Sequence, residues 1–235
     1  MGAISNRGST GGVQTLNTDP PDANHNFDVI SNITSIDIVT VAGQLTLQPY
    51  TLITGSLNNN IGTVEVGQSF PSVNLTWSLS KTETSQSLNH GIGNLVIGLR
   101  NYLVVGTITS NISYTLSFTD TKGSNSASTS ISFLNRVHWG PLANPSLTSP
   151  NILSLANSTL SSSRSRTFTI NCNNQYIWIV YPVTYGAATF KVNGFNTTFN
   201  QSIVSHTNAY GHTENYYTYR SQFLQNGSGI EVQVI

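Results

Sequence analysis

Charge is scarce in this chain. Asp, Glu, Lys and Arg make up 8 % of its 235 residues, and nine Lys+Arg offset nine Asp+Glu. Soluble domains usually carry about 25 % charged residues. A nucleic-acid partner needs a cationic footprint, and a polybasic membrane anchor needs clustered Lys and Arg. Neither pattern is present, so no nucleic-acid binding and no membrane insertion are expected. Cysteine is nearly absent. Cys172 stands alone, which excludes an intrachain disulfide and leaves burial to hold the fold. No apolar run approaches the ~20 residues of a membrane-spanning helix, and the start at Met1 has no apolar signal-peptide core. Convincing helical spacing is missing over any stretch of ten residues. One turn of helix is expected at most, in residues 151–160.

Hydroxyls and amides take the place of charge. There are 27 Asn, 31 Ser and 29 Thr, 87 residues of 235. Such a composition suits disorder, but strict alternation contradicts that reading for most of the chain. In residues 73–80, Val73, Leu75, Trp77 and Leu79 fall on one face, and Asn74, Thr76, Ser78 and Ser80 fall on the other. Period two is the mark of a half-buried strand. Residues 112–119 and 127–133 repeat it, joined by a turn at 120–125. Apolar stretches at Ile36, Ile38 and Val39 and at 45–47 read as earlier strands. Phe168, Ile170 and Cys172 alternate, and residues 175–181 are apolar on both faces, as in a doubly covered strand that Pro182 ends. Asn193-Gly194 between apolar runs predicts a hairpin. Tyr217 and Tyr219, then Ile230, Val232 and Val234, predict two last strands.

The expected fold class is therefore all-β, with two β-sandwich domains, Ig-like or jelly-roll-like, after an extended N-terminal arm. The arm takes residues 1–30, where Gly11-Gly12 and Pro20-Pro21 break any periodicity. Domains of 31–135 and 136–235 are expected, with a break at Leu134-Asn135-Arg136 and the Pro- and Ser-rich stretch 141–165 beyond it. Trp139 would wedge the two together. The arm is too poor in apolar residues to fold alone, so Ile4, Val13, Leu16 and Phe27 are its candidate docking anchors.

Signs of catalysis are sparse. No nucleophile elbow, phosphate loop or dinucleotide fingerprint occurs. No catalytic residue, cofactor or metal site is assigned. His206, His212 and Glu214 are too widely spaced for a tight ligand set, and a connection with exposed histidines is expected there. Cys172 reads as a buried small hydrophobe, and Trp77 and Trp178 as core. Tyr210, Tyr216, Tyr217 and Tyr219 suit either a sugar-stacking platform or a subunit contact, where tyrosine is enriched. Seven Asn-x-Ser/Thr sequons, at Asn32, Asn74, Asn111, Asn157, Asn196, Asn200 and Asn226, are what so Asn- and Thr-rich a chain produces by chance.

Residues 61–70, Ile-Gly-Thr-Val-Glu-Val-Gly-Gln-Ser-Phe, followed by Leu75-Thr76-Trp77-Ser78-Leu79-Ser80-Lys81, resemble a segment of bacteriophage tail proteins. So do residues 131–140, Tyr176-Ile177-Trp178, Phe190-Lys191-Val192-Asn193-Gly194-Phe195 and the run from Tyr210 to Ser221. The resemblance covers roughly residues 61–235. It implies a modular, β-rich virion component of a tail fibre or baseplate, assembled in the host cytoplasm and without enzymatic activity. Its first module would be Ig-like with Trp77 as the inner tryptophan, but without the cysteine pair of immunoglobulin domains. Partners would be other virion proteins and further copies of the chain, as a trimer if it forms a fibre. A head decoration or head fibre, a host-glycan-binding adhesin and a tail-associated hydrolase remain alternatives.

Overall fold

The structure, a computed structural model, describes residues 51–235 in full, and of the preceding residues only the backbones of two strands. These are β1 (Ile36–Val41) and β2 (Gln44–Pro49), an antiparallel pair in which Ile38 faces Leu47. Both fall where apolar residues predict strands. The arm and its anchors Ile4, Val13, Leu16 and Phe27 lie outside the described residues.

The fold is all-β, as the alternation predicts. In chain order the strands continue as β3 (Gly55–Asn59), β4 (Thr63–Glu65), β5 (Phe70–Leu79), β6 (Ser85–Leu88), β7 (Gly93–Asn94), β8 (Asn101–Ile108), β9 (Ile112–Thr119) and β10 (Ser124–Leu142). After helix α1 (Ser149–Leu153) come β11 (Asn157–Ser161), β12 (Arg166–Pro182), β13 (Phe190–Val192), β14 (Phe195–Thr197), β15 (Phe199–Thr207), β16 (Thr213–Ser221) and β17 (Gln225–Val234). The helical turn expected in 151–160 begins two residues before that range and ends within it at Leu153, because Thr148 caps it and Pro150 occupies its first turn. Residues 157–161 are strand instead.

Two compact units are distinguished, and neither is a single contiguous segment. Among the described residues the first holds the stretch ending at Gly55, Leu79–Gly98 and Leu116–Ala127. In it β6 pairs with β9 and with β7, and Ile53, Leu88, Leu116 and Phe118 are buried. The expected turn closes on Asp120, whose carboxylate accepts from the backbone N–H groups of Lys122 and Gly123, both at 2.9 Å.

The second unit holds Ser56–Ser78, Leu99–Thr115 and Ser128–Ile235. Here β5 pairs with β8, and the alternation of β5 buries Val73, Leu75 and Trp77. Phe70 meets Phe133 of β10 edge-on at 6.3 Å. The break expected at 134–136 is absent. β10 is one 19-residue strand, so the boundary placed at residue 135 falls inside a strand. Its successive segments pair with β4 at Ser132–Leu134, β11 at Asn135–Trp139 and β12 at His138–Leu142, and this ladder holds the chain extended.

β12 serves two sheets. Residues 166–175 pair with β17, and residues 176–182 pair with β10 and β16. Register shifts at Ile170/Cys172 and Asn173/Gln175, with Asn174 at a positive φ of 54°, turn the strand from one sheet to the other. Beyond the shift both faces are covered. Ile177, Ile179 and Tyr181 join one core with Phe168, Ile170, Phe190, Tyr219 and Val232, while Trp178 and Val180 join another with Ile152, Leu155 and Tyr216. Asn193 and Gly194 have φ of 50° and 85° and form the expected tight turn between β13 and β14.

Candidate functional site: a buried polar joint

The side chains richest in chemistry gather in the second unit where β4, β10, β15, β16 and α1 meet. The parallel pairing of β4 with β10 places Glu65 beside Arg136, and Arg136 Nε donates to Glu65 Oε2 at 3.0 Å. Glu65 is nearly closed off from water, its side chain 8 % exposed, while Arg136 keeps 32 % and also donates to Ser158 Oγ.

Two residues further along β10, His138 points inward. Its ring stands edge-on to that of His206 on β15, with centroids 5.5 Å apart, and His206 in turn meets Tyr216 at 4.9 Å. Ser149 at the start of α1 anchors His206. Its hydroxyl lies 3.1 Å from His206 Nδ1 and accepts from the Thr207 backbone N–H at 3.0 Å. Neither histidine Nε2 has a hydrogen-bond partner. Burial drives the His138 pKa down to about 3, assisted by His206 and Arg136. Burial also lowers that of His206, against the opposing pull of Glu65 and Ser149. Both rings are therefore neutral at pH 7. Burial raises the pKa of Tyr216, reinforced by Glu214 and Glu65.

The turn after β15 completes the joint. Asn208 donates through Nδ2 to the Val66 carbonyl at 2.6 Å, and its Oδ1 accepts from the backbone N–H groups of Tyr210 and His212. Gly67 sits against this turn at a φ of +96°, and a Cβ there would lie 2.8 Å from His212 Cβ. Glu214 accepts from Asn135 Nδ2 at 2.7 Å and Thr184 Oγ1 at 3.2 Å, with His212 Nε2 at 3.7 Å.

Every carboxylate of this joint is thus occupied by a neighbour in the fold, and its arrangement holds strands together. Among the described residues no group of three or more His, Cys, Asp or Glu is placed to hold a metal. The exposed histidine expected at 206 is corrected. His206 is fully buried, because period two along β15 puts it on the same face as Val204 and Asn208. The signal was in the alternation, but its partners His138 and Ser149 are distant in sequence.

The four tyrosines do not assemble into a platform. Tyr210 is exposed and Tyr217 half-buried, whereas Tyr216 and Tyr219 are buried on opposite faces of β16, in different cores. The two buried phenols cannot offer a ring face to a sugar from outside. Trp77 and Trp178 are core as expected, and so is Cys172, whose thiol pKa burial pushes up. Trp139 packs on Phe168, with centroids 4.8 Å apart, within the second unit rather than as a wedge between domains.

No protein-family model matches the chain, and no curated protein sequence matches it. Among solved structures it is similar to the N-terminal eight Ig domains of Down Syndrome Cell Adhesion Molecule, with 8 % identity and a TM-score of 0.25. That match covers 77 % of this chain and 26 % of the other, so the chain spans about a quarter of that structure's length. It is also similar to the titin fragment A168169, at 10 % identity and TM-score 0.25 over 79 % and 97 % of the two chains. The titin Ig tandem A164–A165 matches at 11 % identity and TM-score 0.20 over 77 % and 91 %.

Proposed function

We propose that this protein is a non-enzymatic structural component of a bacteriophage virion, in a tail fibre or a baseplate, whose β-sandwich modules serve assembly or surface display. The observation that carries this reading is the convergence of the segments that resemble phage tail proteins. Glu65 and Gly67 come from the first segment, Arg136 and His138 from the second, and Tyr210, His212, Glu214 and Tyr216 from the last. In the fold they meet in one joint, through the Arg136–Glu65 pair, the Gly67–His212 contact and the hydrogen bond from Asn135 to Glu214. The resemblance thus rests on residues that hold strands in register. A surface wetted by amides and hydroxyls fits a part built to sit among neighbours.

Immunogold labelling of purified phage particles with antibody against the recombinant protein tests the proposal. Gold at the tail tip or fibres is the expected result, and gold over the capsid would move the protein to the head decorations. Absence of the protein from washed, infectious particles would overturn a virion role.

A further inference from the structure

In the sheet ordered β3-β5-β8, β8 is an edge that no described strand covers. The parity of its ladder fixes which backbone groups are free. The Trp77 N–H donates to the Arg100 carbonyl at 3.1 Å, whereas the Asn74 N–H turns the other way, to Asn60 Oδ1 at 2.9 Å. With Leu75 opposite Tyr102 and Val73 opposite Val104, the backbone of residues 100, 102 and 104 is spent on β5. The N–H and C=O groups of Asn101, Leu103 and Val105 therefore point away from the sheet. Leu103 and Val105 also turn their side chains outward, 56 % and 79 % exposed. Edge strands are usually blunted by charge or proline. Residues 101–105, Asn-Tyr-Leu-Val-Val, carry neither, and their ladder is unbroken up to the register shift beyond Val105, where Gly106 has a φ of +148°. The opposite edge of the sheet differs, since on β3 Ser56 and Asn58 are exposed and Leu57 is buried.

We infer that β8 pairs with β8 of a second copy of this chain, antiparallel about a two-fold axis through Leu103. A strand edge with free donors and acceptors takes another strand, and this one is its own complement. The register that uses all three outward residues sets Leu103 opposite the second copy's Leu103 and Asn101 opposite its Val105, each pair exchanging both N–H···O bonds. Each Val105 then lies diagonal to the other copy's Leu103, so the exposed apolar side chains of both copies close into one cluster on one face. Charge favours a copy over a foreign strand. None falls within the paired stretch, and the nearest, Arg100, comes opposite Gly106 and not opposite another arginine. A charged side chain on a foreign strand would find no counter-charge there. The contact is isologous, so it closes on itself as a dimer. The inference is independent of the virion proposal, since it rests on one strand edge.

Sedimentation equilibrium of the full chain over a wide concentration range tests this, and a reversible monomer–dimer equilibrium is expected. Leu103→Lys and Leu103→Glu, made at an exposed position, should each weaken self-association about tenfold or more at an unchanged melting temperature, because each sets like charges opposite one another across the axis. An equimolar mixture of the two variants should dimerise again, since the axis then pairs opposite charges. Ile203→Lys, at an exposed position on the free edge of β15, is the control and should leave the dimer unchanged. Hydrogen exchange should find the Leu103 and Val105 amides protected in the unmodified dimer and open in either Leu103 variant. A chain that stays monomeric, a dimer or trimer indifferent to Leu103→Lys, or a mixture that does not re-form the dimer overturns the inference. A monomer whose Leu103 and Val105 amides are protected would give this edge to the chain's own residues 1–30, which overturns it as well.

Discussion

His138 and His206 face each other edge-on inside the protein, 5.5 Å apart, and neither Nε2 meets a hydrogen-bond partner. They sit among Glu65, Arg136, Tyr216 and Ser149. Both pKa values are lowered in the folded state, that of His138 to about 3. An unfolded histidine titrates near ~6.5. Between pH 6.5 and about 3 the unfolded chain therefore binds more protons than the folded one, so stability falls as the pH falls through that window. Thermal melts should show a lower Tm at pH 4.5 than at pH 7.5, and the variant H138N/H206N should show a weaker dependence. A wild-type Tm equal at both values would contradict the buried, neutral pair.

The Arg136–Glu65 pair predicts an asymmetry. Removal of Arg136 leaves a carboxylate that is 8 % exposed without its cation, whereas removal of Glu65 leaves an arginine with 32 % of its side chain already in water. Arg136→Met should cost about 1–3 kcal/mol, and Glu65→Gln distinctly less. Urea denaturation of the two variants measures the difference, and equal costs would argue against it.

Gly67 and Gly62 both have positive φ, at +96° and +73°, but only Gly67 is crowded. Alanine at Gly62 meets open space and should cost about 1 kcal/mol from backbone strain alone. Alanine at Gly67 must also displace His212, so a loss of about 2–4 kcal/mol is expected. If both variants melt alike, the approach of the 208–212 turn to Gly67 is looser than it stands here.

Trp77→Ala should destabilise the protein by about 3–5 kcal/mol, the usual cost of deleting a buried large aromatic. Trp77 is 5 % exposed on the inward face of β5 with Val73 and Leu75. A loss under ~1 kcal/mol in denaturant titration would mean that the opposite face of the strand is the buried one.

Strands whose pattern is local were legible in the sequence. β5, β9 and the first half of β10 alternate strictly because one face of each is buried, and the doubly apolar run 175–181 does lie between two cores. The Asn193-Gly194 turn and the Asp120 turn follow from backbone chemistry that needs no partner. β8 was not legible, since Leu103 and Val105 face outward and only Tyr102, Val104 and Ile108 turn inward. Nor was the continuity of β10 through residue 135, which depends on ladders with β4 and β11 that local sequence does not encode. The polar joint was hidden for the same reason. Asn208 and Val66, or His206 and Ser149, come together only after folding.

The position of β17 bears on how the protein is made. It lies between β12 and β13 in the sheet, and Ile230, Val232 and Val234 fill the same core as Phe168 and Ile170. A ribosome finishes β12 at Pro182 and reaches Gln225 only after further translation, roughly a few seconds at ordinary rates. Throughout that interval the 166–175 edge of β12 is open to any passing strand. Its alternating Thr167, Thr169 and Asn171 then act as the nascent chain's own guard against aggregation, since they present polar groups on the outward side while the partner is still unmade.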